Sequence, residues 1–304
     1  MSRFRVLFVL CCLTSLAAVQ PVYAADQAED PHPETLRVIS YNVWYVFNHG
    51  KQIKEGQAWL KSHAPDVVAL QELTDIKPEK LEQLAAGWDH PNSVLLKTSG
   101  FSVGLTSRWP IEVVTKQLEG MHHGYLHAKT NGVHYFVVHL SPFKWSVRER
   151  EAKIVLKEAA PLVKQGKSVI ILGDFNAMSP DDEEVLAKTL VRDKSKASDD
   201  KHEHVENLRD GQIDFEVMRR FFDAGLHDTT VKHLPAQPKD RNSCPTGVFD
   251  DQSTPPAEGQ RIDFILSTEG LFKAVETSSI PKEGPVNVIS DHYPVITDFE
   301  MGRK

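Results

Sequence analysis

The stretch "SVIILGDFNAMSP", residues 168–180, contains a strand that is apolar at consecutive positions and ends in a carboxylate and a carboxamide. An apolar run of this kind must be buried on both of its faces. The runs "RVISY", "DVVALQ" and "YFVV" have the same character. Strands of this kind belong to sheets that other elements cover on both sides. The sequence therefore predicts an α/β protein with mixed sheets covered by helices.

Hairpins and helices are predicted around these strands. Asn131-Gly132 separates two β-rich runs in "YLHAKTNGVHYFVVHL" and predicts a tight type I′ turn. The segment "WSVREREAKIVLKEAAPLVKQG" predicts a long helix with Ser146 as its N-cap and Gly166 just past its end. No repeat or strong linker divides the chain of 304 residues, so one domain is expected.

The amino terminus has the layout of a secretory signal peptide. Arg3 and Arg5 precede the apolar run "VLFVLCCLTSLAAV", and "VYA" offers small residues before a cleavage point after Ala24. An uncleaved membrane anchor is the alternative, although the run is short for a membrane span. The sequence predicts a signal peptide at residues 1–24 and a secreted or periplasmic protein with no transmembrane segment after cleavage.

The remaining chain divides into a leader, a domain and an insertion. Residues 25–35 are acidic and contain proline, which predicts a flexible leader to a domain that spans residues 36–304. Residues 193–211 are polar and have almost no large apolar side chain, which predicts an exposed insertion. Cleavage would leave Cys244 as the single cysteine, so no internal disulfide is expected.

The charge of the chain bears on its partners. The formal charge is −7, and loss of a segment with two arginines and no acid would change it to −9. An acidic protein is not suited to hold polyanions by bulk charge, although a local cation could do so.

Polar side chains with metal-binding or proton-transferring groups recur at the ends of the apolar runs. They are Asn42, Glu72, His139, Asp174, Asn176, Asp263, Asp291 and His292. Each alone has a structural explanation, such as a turn cap, an ion pair or a buried histidine. If the carboxylates converge, however, their repulsion and lost hydration cost several kcal/mol per ion. A divalent cation removes this cost, and the oxygen-rich set favours Mg²⁺ or Mn²⁺ over Zn²⁺.

Six motifs carry a family resemblance. In order, "SYNV", "QEL", "VVHLSP", "GDFNA", "RIDFIL" and "SDHYP" resemble the endonuclease/exonuclease/phosphatase superfamily, in particular its deoxyribonuclease I-like and neutral sphingomyelinase-like branch. The resemblance covers residues 36–300. It implies a four-layered α-β-β-α sandwich with two mixed β-sheets.

The resemblance also implies roles on the metal side of the site. Glu72 would be the principal Mg²⁺ ligand, with Asn42 and Asp291 on the metal or its waters. Asp174 would orient or deprotonate the attacking water, and Asn176 would hold the phosphate.

Two histidines complete the implied catalytic set. His292 would contact the scissile phosphate or act as a base, and Asp263 would fix its tautomer. His139 would help protonate the leaving oxygen. Which histidine is the acid and which is the base stays open at this point.

The expected function is that of a secreted Mg²⁺-dependent hydrolase of phosphate esters, a phosphodiesterase or nuclease. A sphingomyelinase, a phosphoinositide or sugar phosphatase, and a non-catalytic binding module are the alternatives. The substrate would be a nucleic acid or a phospholipid headgroup, and no stable protein partner is implied. Lys144, Trp145 and Arg148 could contact a substrate base or headgroup, or could pack as the start of a helix. Tyr125 could line the cleft, although strand alternation also explains it.

Overall fold

The apolar runs of the sequence form the strands of two mixed six-stranded sheets. A computed structural model describes Met1 and residues 34–245 and 259–302 of the chain. The predicted signal peptide and nearly all of the predicted leader lie outside the described residues. The strands, in chain order, are β1 (Thr35–Asn42), β2 (Val67–Gln71), β3 (Asn92–Leu95), β4 (Gly104–Ser107), β5 (Glu112–Gln117), β6 (Tyr125–Thr130), β7 (Val133–His139), β8 (Val169–Asp174), β9 (Leu208–Arg209), β10 (Gln212–Ile213), β11 (Leu226–Asp228), β12 (Asp263–Thr268), β13 (Val275–Ser279) and β14 (Val295–Glu300).

The two sheets have related strand orders. The first sheet runs β13-β14-β1-β2-β4-β3, and the second runs β11-β12-β8-β7-β6-β5. Within them β1 and β2 are parallel, as are β7 and β8, and all other neighbours are antiparallel. A separate two-stranded hairpin joins β9 to β10. Each sheet is therefore mixed, with one parallel pair in its interior.

Helices lie outside both sheets. The helices are α1 (Ile53–Ser62), α2 (Pro78–Ala86), α3 (Trp145–Lys164), α4 (Glu183–Leu186), α5 (Val191–Lys201), α6 (Glu216–Asp223), α7 (Pro238–Arg241), α8 (Glu269–Lys273) and α9 (Val286–Ile289). Helices α1, α2 and α9 contribute Leu60, Leu84 and Ile289 to the core that contains the first sheet. Helices α3 and α6 cover the second sheet through Val155 and Phe221. None of the described helices has the length and apolar character needed to cross a membrane.

The parallel strands β7 and β8 of the second sheet are buried on both faces, as their sequence predicts. Val137 and Leu172 belong to the core between the two sheets, whereas Val138 and Ile171 belong to the core under α3 and α6. Alternate residues of β7 and β8 therefore fill two different cores. This arrangement confirms the predicted four-layered α-β-β-α sandwich.

Three local sequence signals predict where elements begin or end, and the structure confirms two of them. Asn131 and Gly132 have φ angles of 48° and 73°, the left-handed conformation of both central residues that a type I′ turn between β6 and β7 requires. Gly166 ends α3 with a φ of 71°. The predicted N-cap at Ser146 is wrong, because α3 begins one residue earlier at Trp145. The N–H of Trp145 donates to the carbonyl of Glu206 instead.

The polar segment at residues 193–211 has regular structure. It contains most of α5 and the strand β9, and its Glu206 forms a bridge with Lys144 at the start of α3. Most of its side chains are exposed, but Leu208 is buried. The segment is thus attached to the domain next to α3.

Candidate active site

The polar residues that follow or precede the apolar strands lie at one edge of the sandwich. In each parallel pair both strands end at this edge, and the antiparallel neighbours β12 and β14 begin there. The register places Asp263, the first residue of β12, directly opposite Asp174, the last residue of β8. The side chains at this edge are Asn42, Glu72, His139, Asp174, Asn176, Asp263, Asp291 and His292. The two sheets meet here, since Asn42 of the first sheet bonds to Asp174 of the second.

Asp174 lies at the centre of this group. Its Oδ2 accepts a hydrogen bond from Nδ2 of Asn42 at 3.0 Å and lies 3.6 Å from Nε2 of His139 and 3.9 Å from Nε2 of His292. Its Oδ1 accepts the backbone N–H of Asn176 at 2.8 Å. Three residues that are far apart in sequence, Asn42, His139 and His292, therefore meet at one buried carboxylate.

His292 is oriented by Asp263. The Nδ1 atom of His292 lies 2.9 Å from Oδ2 of Asp263, which directs Nε2 toward Asp174. Burial alone would lower the pKa of His292, but its contacts with the thiol of Cys244 and the carboxylate of Asp263 more than offset burial, so the pKa lies well above the usual value. Ser243 also donates to Oδ2 of Asp263 at 2.8 Å. An imidazolium is thus favoured at this position.

His139, in contrast to His292, favours the neutral form. Burial, together with the nearby positive charge that His123 and His292 can carry, lowers the pKa of His139 well below its usual value. The ring of His139 stacks on that of His123 with 4.1 Å between centroids. Its Nδ1 has no hydrogen-bond partner within residues 34–245 and 259–302. The two histidines beside Asp174 therefore favour different protonation states.

The carboxylate of Glu72 is held in part by a left-handed turn of the backbone. Its Oε1 accepts from Nδ2 of Asn42 at 3.3 Å, and its Oε2 accepts the N–H of Tyr45 at 3.2 Å. Residues Trp44–His49 form a left-handed turn with φ angles from 37° to 63°, and Glu72 itself has a φ of 60°. Left-handed backbone costs energy for residues other than glycine, and such strain concentrates at functional sites. The strained turn places its amide at the Glu72 carboxylate.

The carboxylates of the site raise one another's pKa. Burial and the charge of Asp263 raise the pKa of Asp174 to about 7. Burial also raises the pKa of Glu72 and of Asp291, and the charge of Asp291 adds to the shift at Glu72. The site therefore concentrates negative charge that the His292 cation neutralises only in part.

The donor set fits a divalent cation. Asp174, Asp263 and His292 each offer one buried ligand atom, and these atoms lie within 4.8 Å of one another. Oδ1 of Asp263 is buried and has no hydrogen-bond partner in the described part of the chain. This buried Asp-Asp-His cluster could bind a metal ion. From the sequence, catalytic roles are predicted for these three residues, and the metal is predicted to bind at Asn42, Glu72 and Asp291. Those residues lie at the same edge of the sandwich.

Two predicted substrate contacts have other partners in the structure. Tyr125 is buried, and its hydroxyl donates to Glu158 of α3 at 2.5 Å. Tyr125 pairs with Val138 and packs in the core under α3, so it lies on the opposite face of the sheet from His139. Trp145 donates from Nε1 to Glu206 at 3.1 Å. Both side chains have clear structural roles.

The other two predicted substrate contacts line cavities beside the site. Lys144 lies 4.0 Å from Glu206 and lines an open cavity of about 430 Å³ together with His122 and His204. Arg148 is buried and lines a second cavity that also reaches Asn176.

The sequence reasoning missed three residues of the site. Ser243 bonds to Asp263 from a loop without a recognisable pattern, so no sequence signal marks it. Ser290 donates from Oγ to the carbonyl of Asn42 at 2.7 Å and accepts the N–H of His292 at 3.1 Å. It precedes Asp291 in "SDHYP", so that motif could have indicated it. His123 had only its position beside a predicted hairpin as a signal.

Comparisons with known proteins agree with this fold. A family model described as "Endonuclease/Exonuclease/phosphatase family" matches residues 39–292. A search of curated proteins found no match. An AP endonuclease from Archaeoglobus fulgidus is 20% identical with a TM-score of 0.63, and the match covers 88% of this chain and 100% of that chain.

Two solved structures from Neisseria are also similar. The 3′-5′ exonuclease NExo from Neisseria meningitidis is 17% identical with a TM-score of 0.63, over 87% of this chain and 100% of that chain. The 3′ phosphatase NExo from Neisseria, bound to a product DNA hairpin, is 18% identical with a TM-score of 0.63, over 87% of this chain and 99% of that chain. At these identities the likeness shows the fold.

Proposed function

Because the chain belongs to the endonuclease/exonuclease/phosphatase family, we propose that it is a Mg²⁺-dependent phosphodiesterase that is exported from the cell and cleaves nucleic acid. Membership makes the chain a hydrolase of phosphate esters. The metal, the export and the nucleic acid are the finer parts of the proposal. One observation carries it, namely that Asp174 lies between a histidine held by Asp263 and a second histidine.

Asp174 supplies the base in the proposed reaction. Its pKa of about 7 is close to neutral pH, which suits a group that takes a proton from an attacking water. The hydrogen bonds from Asn42 and from the backbone of Asn176 fix the orientation of both of its oxygens. Asn176 donates one amide hydrogen to the carbonyl of Leu140, which leaves the second hydrogen for a phosphate oxygen.

The histidines act on the phosphate and on the leaving group. His292, held as a cation by Asp263, binds a phosphate oxygen through Nε2 or donates its proton to the leaving oxygen. His139 favours the neutral form, so it donates a hydrogen bond without carrying charge. This assignment makes His292 the acid of the pair.

The metal is proposed as Mg²⁺ because oxygen ligands predominate. Asn42, Glu72 and Asp291 would hold it, with Oδ1 of Asp263 at the same edge of the sheets. Asp174 then remains the base, and His292 keeps its proton. When bound, the ion would neutralise the carboxylates and stabilise negative charge on the phosphoryl group. The unpartnered Oδ1 of Asp263 supports this fit.

Two features support nucleic acid as the substrate. A structural neighbour from Neisseria is bound to a DNA hairpin. Lys144 and Arg148 supply positive charge beside the site in a chain whose formal charge is −7. Local cations of this kind can hold a phosphate backbone despite an acidic surface.

Substrate hydrolysis tests the proposal directly. The protein without residues 1–24 is assayed on bis-(p-nitrophenyl) phosphate, single- and double-stranded DNA, RNA, sphingomyelin and inositol phosphates, with Mg²⁺, with Mn²⁺ and with EDTA. We expect nucleic acid and the chromogenic diester to be cleaved with Mg²⁺ and not with EDTA. The His292→Ala protein, purified in the same way, controls for contaminating nucleases.

The panel also separates the alternatives. Cleavage of sphingomyelin or of inositol phosphates in place of nucleic acid would replace the proposed substrate while keeping the chemistry. Lack of hydrolysis on the whole panel, with retained binding of a phosphate ester, would favour the non-catalytic binding module.

Export has its own test. The full chain is expressed in a bacterium, and the periplasmic or secreted protein is sequenced from its amino terminus. We expect residue 25 to be the first residue. Recovery of the uncleaved chain in the membrane would show an anchor instead.

A further inference from the structure

A second binding site lies beside the catalytic edge. A cavity of about 440 Å³ is bounded by the start of α3, by α5 and by the hairpin of β9 and β10. Asn176, which bonds to Asp174, forms part of its wall, as does Cys244, which contacts His292. A group bound in this cavity would therefore lie next to a phosphate held at Asp174.

Arg148 is the buried charge of this cavity. Its side chain is 3% exposed, and its Nη1 donates to the carbonyl of Ser141 at 3.2 Å. Its Nε has no hydrogen-bond partner, and no ion pair to Arg148 occurs within residues 34–245 and 259–302. Burial lowers the pKa of Arg148 to about 10, and the charge of Asp214 opposes this shift. The guanidinium is thus still charged at neutral pH, with acids near it but no carboxylate hydrogen-bonded to it in the described chain.

Other buried arginines in the described chain have carboxylate partners. Arg241 pairs with Asp182 at 3.0 Å, and Arg261 pairs with both Asp182 and Asp228. Asp214 has the largest electrostatic effect of any acid on Arg148 and lines the same cavity. Its Oδ1 is instead bonded to Arg209 at 2.7 Å, and its buried Oδ2 has no hydrogen-bond partner in the described chain. A buried cation without a paired anion is costly, so this position favours an anionic ligand.

The rest of the wall suits a phosphorylated organic group. Ser195 and Ser198 of α5 contribute hydroxyls, and Asn207 contributes an amide. Phe143 and Ile213 contribute apolar surface. Donors for an anion and an apolar wall for a sugar or a base are therefore combined in one cavity.

We propose that this cavity is a substrate subsite for a second phosphate group, which Arg148 binds while the scissile phosphate lies at Asp174. The inference rests on the proposed function for the identity of the scissile bond. The cavity has the size of a small-molecule site, so it accommodates about one nucleotide. The second phosphate is either a terminal phosphate or the next phosphate of a longer strand.

Matched dinucleotides test the subsite. The substrates are dithymidine monophosphate, the same dinucleotide with a terminal phosphate at its 5′ or its 3′ end, and trithymidine diphosphate without a terminal phosphate. We expect kcat/KM to be about tenfold or more higher for at least one substrate with a second phosphate, because charged hydrogen bonds to a buried guanidinium are strong. The trinucleotide shows whether an internal phosphate suffices or a terminal one is required. Equal kcat/KM for all four would overturn the proposal.

The variant Arg148→Met should remove this preference. The measured quantity is the ratio of kcat/KM with and without the second phosphate, which we expect to fall to within about twofold of one. Arg148→Lys should keep part of the ratio, because lysine carries the charge but lacks the bidentate donors. Arg150→Met is the matched control, since Arg150 lies two residues away on the same helix but is exposed. A ratio that falls equally in the Arg150 variant would assign the preference to bulk charge and reject the subsite.

The melting temperature of the variants separates a binding role of Arg148 from a structural role. Met has a similar length and no charge, so Arg148→Met should leave Tm unchanged or raise it. A large fall in Tm together with an unchanged substrate ratio in Arg148→Met would show that the guanidinium only supports the fold.

Binding without turnover distinguishes this inference from the proposed function. Thymidine 3′,5′-bisphosphate and thymidine 5′-monophosphate are titrated calorimetrically into the protein in EDTA. Tighter binding of the bisphosphate that disappears in Arg148→Met supports the subsite even if no ester is hydrolysed. Hydrolysis of diesters without any such difference supports the proposed function and rejects the subsite.

Discussion

Two buried groups of charged side chains meet at the beginning of β12, and they are built in opposite ways. The ion-pair cluster consists of Arg241, Arg261, Asp182 and Asp228. The acidic cluster consists of Glu72, Asp174, Asp263 and Asp291 with His292. Arg261 lies only two residues before Asp263, the first residue of β12, so the two groups are adjacent in the chain but serve different purposes.

The ion-pair cluster is balanced. Two arginines face two aspartates, with Nε of Arg261 at 2.6 Å from Oδ2 of Asp182 and Nη1 of Arg241 at 3.0 Å from Oδ1 of the same carboxylate. Burial favours the neutral form of Arg261, but Asp228 and Asp182 outweigh burial and raise its pKa. Every charge has an opposite charge beside it, so no ligand is needed.

The acidic cluster is not balanced. Its carboxylates raise the pKa of one another, and Oδ1 of Asp263 has no partner in the described chain. Burial of charge does not by itself indicate function, since the ion-pair cluster is buried and balanced. The informative feature is a buried charge that the protein leaves without a counterion.

The largest expected effect is on activity in the acidic cluster. Asp174→Asn removes the proposed base while keeping the shape and the contact with Asn42. We expect kcat/KM to fall about 10⁴-fold, because general acid–base groups contribute on this scale. Hydrolysis of bis-(p-nitrophenyl) phosphate with Mg²⁺ measures the change. Activity within tenfold of the original protein would remove Asp174 from the reaction.

The next largest effect is on stability in the ion-pair cluster. Arg261→Met leaves Asp182 and Asp228 buried with less compensation, so the free energy of unfolding should fall by about 4 kcal/mol. Urea denaturation measures it. Lys61→Met is the control, since the Lys61–Asp89 pair is exposed and should contribute less than about 1 kcal/mol. Similar losses in both variants would show that burial of the cluster does not matter.

The sequence predicted the acidic cluster far better than the ion-pair cluster. Asp174 and His139 end continuous apolar strands, which marked them as candidates, and the family resemblance of the six ordered motifs then implied that they belong to one site. Arg261 and Asp182 are 79 residues apart, and Asp182 lies in a short turn with no repeating pattern. Long-range pairs between two irregular segments leave no periodic signal.

The same limit applies to the cavity beside the site. The segment at residues 193–211 reads as an exposed insertion because it is polar, yet Ser195 and Ser198 line a cavity next to Asn176. Composition indicated the exposure of most of its side chains but not which neighbour the segment would contact. Asn131-Gly132 was predictable in detail because a type I′ turn depends on two adjacent residues alone.

A smaller expected effect is the pH dependence of the protein's stability that Asp174 of the acidic cluster causes. The pKa of Asp174 is raised to about 7 in the folded protein, above its value of roughly 4 in an unfolded chain. The folded protein therefore binds the proton of the Asp174 carboxyl group more tightly than the unfolded chain does. Protonated Asp174 stabilises the folded state at low pH, and this stabilisation is lost as the pH rises from about 4 to about 7. In EDTA at pH 8 we expect Asp174→Asn to be more stable than the original protein by about 2 kcal/mol.

Urea denaturation of both proteins between pH 4 and pH 8 measures this difference. Wild-type stability should fall more steeply over this range than that of the variant. Parallel curves for the two proteins would mean that Asp174 ionises normally and that the cluster is not under repulsion.

The smallest expected effect is at Ser243, which bonds to the start of β12 in the acidic cluster. Its Oγ donates to Oδ2 of Asp263, the same atom that orients His292, and accepts the N–H groups of Ile262 and Asp263. Ser243→Ala should reduce kcat/KM by about tenfold, because loss of a hydrogen bond to an orienting carboxylate weakens the position of the histidine. Hydrolysis of bis-(p-nitrophenyl) phosphate at several pH values should also show a shifted profile. Ser278→Ala, which removes a buried hydroxyl from the outer strand β13, should leave both unchanged. If the Ser243 and Ser278 variants have the same kcat/KM and the same pH profile, Ser243 supports only the fold. Asp263 would then orient His292 without the hydrogen bond from Ser243.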